Sequence, residues 1–591
     1  MIKNIMSLFC VFIILSCGSN TSDEPIPTAR ESGRWFAEVH TDKASYKTGE
    51  KISFFLSFHD VPHQDSELLI RYRYLNTVLD SQEIKTPDSL GIDWQWNPPD
   101  NDYRGYLAEV FLMNKNRVLD QTNIAVDVSS DWRHFPRYGF LSRYPELSQG
   151  AIDSVISRLN RHHINGIQFY DWHFKHHMPL SMNDGRVTET WPDIAKRTIH
   201  RETIEKYLEA SAKYGMKTMA YNLLYGSWED GPRDGAPASW RLYRDQTLKE
   251  PVKIDFDTNW SSDIYWMNPG NKEWQNYIFY QTKKVFDALP FDGWHVDQLG
   301  DWGNLWTADG REIKPDTAFG GFLISAGQYL KRPLVMNAVL QYGQEEIARG
   351  PVEFLYSEVW DPDSTYVDLL RIISENDSLG KYQLQTVLAA YVNQGLAEKP
   401  GQANNASVLL ADALIFAAGG DHLELGEHLL VHPYFPNNNL KMNDALQKSI
   451  IDYYDFMVAY QNLLRGHLKD TDMTIESDKK IELSKIPEKG KIWYSAKTDN
   501  KRSVVQLVNF SSATTMNWRD DKGIQTEPDL INQFTISFNN TSPIRQIWYA
   551  SPDFNSGSPF TIPFKQDGDK ISLQLPGLRY WSMLVIERQE N

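Results

Sequence analysis

Cysteine is nearly absent, with two residues in a chain of 591. A disulfide-stapled scaffold is therefore excluded. Positive charge is in deficit: 60 Lys and Arg stand against 77 Asp and Glu, a net charge of −17. A nucleic-acid binder needs the opposite balance. The chain carries no Walker A sequence, no G-x-G-x-x-G, no G-x-S-x-G and no H-E-x-x-H, which removes the simplest nucleotide-binding, serine-hydrolase and zinc-protease readings. Internal repeats are missing, as is low-complexity sequence beyond a short polar stretch near the start. What is plentiful is aromatic: 19 Trp, 29 Tyr and 27 Phe. With 41% apolar and 23% charged residues, the composition is that of a folded globular protein.

The N-terminus reads as an address. Lys3 precedes an apolar run at residues 5–15, too short to span a membrane and of the length of a signal-peptide core. The run ends Leu15-Ser16-Cys17-Gly18, which resembles a bacterial lipobox. Residues 1–16 are then a signal peptide cleaved before Cys17, and Cys17 carries the lipid. Residues 17–32 are polar with two prolines, a tether. Asp23-Glu24 resembles the acidic export signal of surface lipoproteins, so either face of the outer membrane is open.

Three regions follow. In residues 33–129, Ile52, Phe54, Leu56 and Phe58 alternate with Ser53, Phe55 and Ser57, and further strand-like runs are punctuated by Gly49, Pro62 and Pro98-Pro99. This predicts an immunoglobulin-like β-sandwich. In residues 131–465, strand-like and helix-like patterns alternate. Eight strand candidates lie at 138–141, 166–170, 218–221, 293–296, 334–339, 354–357, 387–392 and 422–425. Helical spacing separates them, as at Ile152, Val155, Ile156 and Leu159. The pattern predicts a (β/α)8 TIM barrel. The segments after its second and third strands, 173–199 and 223–270, are the longest and would build a cleft. Residues 466–591 read as a second β-sandwich. The expected fold is thus multidomain, with a central barrel between two β-sandwiches.

A barrel projects its chemistry from the carboxyl ends of its strands. Acids at those ends are Asp171, Asp297, Glu358 and Glu424. Asp297 and Glu358 each follow a short apolar strand and precede an aromatic-rich loop. Their strands are close enough for the two to flank one bond, with retention or inversion decided by the gap between them. Other acids have plainer readings. Asp361 or Asp363 is expected to cap the helix after the sixth strand, and Asp292 falls at the structural end of the barrel. Asp171 is either a ligand-orienting residue or a cap. His173, His176 and His177 cluster after the second strand, but without metal-site spacing, so they read as a polar cleft wall and no metal or other cofactor is expected.

Several segments together resemble glycoside hydrolase family 66. They are Arg137-Tyr138-Gly139-Phe140, Gln168-Phe169-Tyr170-Asp171-Trp172-His173, Ala220-Tyr221-Asn222, Asp292-Gly293-Trp294-His295-Val296-Asp297-Gln298-Leu299-Gly300 and Tyr356-Ser357-Glu358-Val359-Trp360. That family contains dextranases and cycloisomaltooligosaccharide glucanotransferases, which act on α-1,6-linked glucan with retention. The resemblance implies a partner of dextran and isomaltooligosaccharides, with Asp297 as nucleophile and Glu358 as general acid/base. It also implies sugar contacts from strand ends, for which position nominates Tyr170, Asp171, His173, Asn222, Asn337 and Trp360. The glucanotransferase branch often carries a binding module inserted in the barrel, and no insert of that size is present. The expectation is therefore an endo-acting dextranase anchored to the envelope. The alternatives are a cycloisomaltooligosaccharide glucanotransferase and a surface glycan-binding lipoprotein without turnover.

Overall fold

The computed structural model describes residues 33–466, 468–478 and 481–589. The signal run, Cys17 and the tether lie outside them.

The first region forms two antiparallel sheets. Phe36–Thr41, Ile52–Phe58 and Gly91–Trp96 make one; Ser66–Tyr74, Thr77–Lys85, Arg104–Asn114 and Arg117–Val128 make the other. Alternation in the sequence becomes burial: Ile52, Phe54, Leu56 and Phe58 are all at most 4% exposed, while Phe55 faces out. Phe54 stacks on Trp94 within the first sheet at 5.1 Å, and Tyr72 of the second sheet stacks on Trp96 of the first at 4.3 Å, which joins the two through one core.

The central region carries eight parallel strands. They are β1 (Tyr138–Leu141), β2 (Gly166–Phe169), β3 (Lys217–Leu223), β4 (Gly293–Asp297), β5 (Leu334–Val339), β6 (Leu355–Glu358), β7 (Thr386–Ala389) and β8 (Asp421–His422), paired in that order. Every candidate strand read from the sequence overlaps one of them, though the last two end earlier than expected, at Ala389 and His422. The first and last strands meet where the Phe140 amide donates to the Leu425 carbonyl at 3.0 Å and the Tyr138 amide to Asp421 Oδ2 at 3.0 Å. The barrel is thus nearly closed. Helices wrap it, beginning with α1 (Gln149–Arg161), whose Ile152, Ile156 and Leu159 are buried against the strands. Among the described residues no helix is long and apolar enough to cross a membrane.

The last region again has two sheets with a common core. One is built on Ile492–Thr498, Arg502–Asn509, Trp581–Arg588 and Ile544–Ala550, the other on Ile531–Asn539 and Lys570–Leu578.

Buried polar links bind these regions. After β8, the long helix Asp444–Ala459 carries Asp455. Its carboxylate accepts the Ala125 amide of the first sandwich at 2.8 Å, His163 Nε2 at 2.7 Å and Arg161 Nη2 at 2.8 Å. Burial opposes the charge, but Arg161 and His163 outweigh it and hold the carboxyl well below its usual range. Arg137 and Asp127 form a second buried pair at 2.7 Å. Gly105 lets the sandwich sit this close, because a Cβ there would meet the Val458 carbonyl oxygen at 1.9 Å.

Removing one partner from a buried ion pair leaves the others uncompensated. Asp455→Ala is expected to cost about 3–5 kcal/mol in denaturant unfolding followed by tryptophan fluorescence. Because the folded carboxyl is depressed, this contribution is complete above its unfolded value near about 4 and fades as the pH falls further. A loss below about 1 kcal/mol, the scale of a surface pair, would show that the carboxylate does not hold the regions together.

Candidate active site

Three neighbouring strands build the site. In β4, Trp294 and Val296 face the helices while His295 and Asp297 face the barrel interior. In β6, Tyr356 and Glu358 face inward and Ser357 outward, where its hydroxyl donates to Gln341 Oε1 at 2.6 Å. β5 lies between them and presents Asn337 inward. The period of two in a strand therefore delivers one carboxylate, one amide and one carboxylate side by side.

The Asn337 amide nitrogen spans the two acids. It donates to Asp297 Oδ1 at 2.7 Å and to Glu358 Oε2 at 2.8 Å. Those two oxygens are consequently no more than about 5.5 Å apart, the carboxyl separation of a retaining rather than an inverting glycosidase. Asp297 also accepts the Tyr221 hydroxyl at 2.7 Å and the Gln298 amide at 2.8 Å. Glu358 accepts the Tyr391 hydroxyl at 2.8 Å.

Burial raises both carboxyls, and the negative charge of Glu358 raises Asp297 further. Two acids this close in a low-dielectric site do not both ionise, so the pair titrates as a unit. Tyr221, Asn337 and the Gln298 amide favour the charged form of Asp297, and Asn337, Tyr391 and Trp360 that of Glu358. Hydrogen bonds to the charged form favour that form. The pair therefore holds one proton between two carboxyls bridged by Asn337.

The pair opens into a cavity of about 350 Å³ walled by Tyr170, Tyr221, Tyr356, Tyr391, Trp360 and Phe435. Tyr170 stacks on Phe435 at 4.2 Å, and Trp360 lies against Tyr391 at 5.6 Å. His295 sits beneath, its Nδ1 3.1 Å from the Tyr138 hydroxyl, and burial pushes its pKa down to about 3. The chamber is aromatic and holds one carboxylate and one acid proton, which suits an apolar sugar face beside a reacting acetal.

Five of the residues named from the sequence line this cavity: Asp297, Glu358, Tyr170, Asn337 and Trp360. Asn222 does not. On β3, Met219 and Tyr221 point inward, so Asn222 points out. Its amide nitrogen donates to the His176 carbonyl and its oxygen accepts the Leu223 amide, both at 2.8 Å. It braces the segment after β2. The inward neighbour, Tyr221, is the residue that touches Asp297; a one-residue difference in phase separates the two roles.

Asp171 and His173 lie beside the cavity rather than on its wall. Burial pushes the Asp171 carboxyl up to about 7, with Arg197 opposing and Asp193 and Asp297 adding. Burial also lowers His173 to about 3, and both of its ring nitrogens lack a protein partner. Glu424 is buried behind the barrel wall with Asp412 and His422. The expected cap of the helix after β6, Asp361 or Asp363, is also corrected. Thr365 caps Tyr366–Leu379 through a reciprocal box with Asp368.

Among the described residues, three clusters bring ligand-type atoms within 4.8 Å of one another: Asp171–His173–His176, His177–Asp230–Asp234 and Asp412–His422–Glu424. Each already has internal partners. Trp228 Nε1 donates to His176 Nδ1 at 2.9 Å. The Lys175 ammonium binds Asp230 and Asp234 at 2.7 and 2.6 Å. His422 joins Asp412 at 2.8 Å and the Ala390 carbonyl at 2.8 Å.

A parallel barrel with a buried Asp–Glu pair at strand ends, open to an aromatic chamber, defines a glycoside hydrolase. Comparison with known proteins makes the class specific. The chain belongs to glycosyl hydrolase family 66, whose family model matches residues 41–585. It is 24% identical over 740 aligned positions to a cycloisomaltooligosaccharide glucanotransferase of Niallia circulans, covering 99% of this chain and 75% of that one. It is 23% identical to a dextranase of Streptococcus salivarius, covering 82% and 67%. The fold is that of a Paenibacillus cycloisomaltooligosaccharide glucanotransferase solved with cycloisomaltoheptaose, with TM-score 0.87, 22% identity and coverage of 93% of this chain and 99% of that one.

Tyr221→Phe removes a donor from the ionised Asp297 and so raises its carboxyl. The acid limb of the kcat/KM–pH profile is expected to move to higher pH by roughly 0.5–1 unit. An acid limb that stays in place would detach Tyr221 from the charge on Asp297.

Proposed function

We propose that this enzyme hydrolyses internal α-1,6-glucosidic bonds of dextran with retention, releasing isomaltooligosaccharides. The observation that carries the reading is the Asn337 bridge, which keeps the two acids too close to admit a water for direct inversion. The substrate class is supported by the relatives, one a dextranase and the others glucanotransferases that form cyclic isomaltooligosaccharides.

In this mechanism Asp297 attacks the anomeric carbon while Glu358 delivers its proton to the glycosidic oxygen. The C–O bond breaks, the leaving chain departs as an alcohol, and a β-glucosyl ester forms on Asp297. Glu358, now ionised, takes a proton from water; the water oxygen attacks the same carbon and expels Asp297. Tyr170 and Trp360 offer ring faces to the sugar, and Asn337 offers its amide oxygen, which has no protein partner. The choice of hydrolysis over transfer is supported by the short segment between β7 and α7 (Asn405–Ala418), residues 390–404, which has no room for an inserted module. Transfer to a sugar hydroxyl would use the same two acids and yield rings.

Dextran digests separate these outcomes: linear products of mixed length support the hydrolase, and cyclic products would place the enzyme with the transferases. Glu358→Ala is expected to lose roughly 10²–10⁴-fold on dextran, and on a nitrophenyl α-isomaltooligosaccharide, whose leaving group needs no proton, to be accelerated by azide and give an α-glucosyl azide. Asp297→Ala is expected to be inactive and to give the β-azide if rescued. Near wild-type turnover in either variant would end the assignment.

We also propose that Cys17 is lipidated and holds the enzyme on the outer membrane. Cys17→Ala should then move the protein from the membrane to the soluble fraction. A protein that stays with the membrane would place its anchor elsewhere.

A further inference from the structure

A segment of the last sandwich leaves its own sheets and lies on the barrel. It runs between Arg502–Asn509 and Ile531–Asn539. Asn517 bridges to Thr365, the Trp518 amide donates to the Ser364 carbonyl at 3.1 Å, and Trp518 Nε1 donates to the Asp363 carbonyl at 2.9 Å. On the other side, the Asn393 amide donates to the Arg519 carbonyl at 2.6 Å, and Ser407 Oγ donates to Asp520 Oδ2 at 2.6 Å. The segment is thereby pinned between the loops that follow β6 and β7.

Its tip is Arg519, only 4% exposed. Nη2 donates to the Val359 carbonyl at 3.2 Å and Nη1 to Gln394 Oε1 at 2.6 Å. The guanidinium lies 5.4 Å from the Trp360 ring centre and 4.6 Å from that of Trp518. It therefore holds the two residues that directly follow Glu358, one by its carbonyl and the other by its ring. Both hydrogen bonds end on neutral oxygens, so no adjacent carboxylate cancels the charge by direct contact through them. Burial works against that charge, and Asp521, Asp361, Tyr391 and Glu358 favour it.

We propose that Arg519 is a positioning residue supplied by the C-terminal sandwich, setting the acid strength of Glu358 and the ring plane of Trp360. The inference rests on the reading of Glu358 as the general acid/base. The groups facing Glu358 are Asp297 from β4, Asn337 from β5, Tyr356 from β6, Trp360 after β6, Tyr391 after β7 and Arg519. Within that set Arg519 is the cation, and it favours the ionised form of Glu358. Without it, Glu358 is a weaker acid and Trp360 is free to tilt.

The test compares Arg519→Met and Arg519→Lys with the wild-type full chain on two substrates. Dextran has a sugar leaving group that needs the proton of Glu358. A nitrophenyl α-isomaltooligosaccharide has a leaving group that departs without it, and its first-turnover burst reads only the glycosylation step. On dextran, Arg519→Met is expected to lose at least about tenfold in kcat, part of the roughly 10²–10⁴-fold that general acid catalysis supplies. Its KM should change less than its kcat, and the alkaline limb of its pH profile should move up. The nitrophenolate burst should fall less than about threefold, and Arg519→Lys should recover part of the loss. Equal losses on both substrates with an unmoved alkaline limb would overturn the proposal and leave Arg519 a packing residue. Wild-type kinetics in Arg519→Met would overturn it as well. Failure of the underlying reading shows itself separately, as a Glu358→Gln enzyme that still cleaves dextran.

Discussion

Two carboxyl groups share one amide nitrogen at the floor of an aromatic chamber, and much of the molecule serves to keep them there. Left to electrostatics alone, both acids would take up protons; left to solvent, both would ionise. The Asn337 bridge, with the donors on either side of it, holds a mixed state in which one is charged and the other is not. That arrangement needs β4, β5 and β6 in a fixed stagger, since a slip of one residue would turn all three side chains toward the helices. The helices, the inner layer of His295, Tyr138 and Tyr356, and the contacts from both sandwiches are means of holding that stagger.

How much of this could be read in advance differs from element to element. The eight barrel strands were legible because each is a short apolar run set between helical patterns. Asp297 and Glu358 were legible because an acid directly after such a run has few other places to point. Asn222 was placed on the wrong side because sequence shows that a strand alternates, not which phase faces inward; phase is decided by packing, here by Met219 against the interior core. Thr77–Lys85 and Ile531–Asn539 are faint in the sequence for different reasons. The first is an edge strand with mostly exposed polar residues, and the second shows its alternation only through Phe534, Ile536 and Phe538. Arg519 could not be found by any local pattern, because it reaches Val359 across 160 residues of chain.

The site also shows how small the step is between water and sugar as second reactant. Nothing in the acid pair distinguishes a water from a hydroxyl; both would lose a proton to the same Glu358. What differs is how well the chamber holds a second sugar once the first has reacted. That is a property of the aromatic walls and of the loops after β2, β3, β6 and β7. The curated relatives include both a dextranase and glucanotransferases.

One carboxylate, Asp455, answers to a backbone amide of the first sandwich and to two side chains of the barrel. A contact of this kind restricts ancestry as well as stability. A gene fragment encoding the barrel alone would inherit an acid, an arginine and a histidine that satisfy one another only in part, with an apolar seam laid open beside them. A fragment encoding the sandwich alone would inherit an amide with no acceptor. Recombination that separates the two is penalised on both sides, so the two regions are expected to be inherited together. The family match, which runs from residue 41 to residue 585 without regard to the boundaries between regions, has the extent such a history would leave.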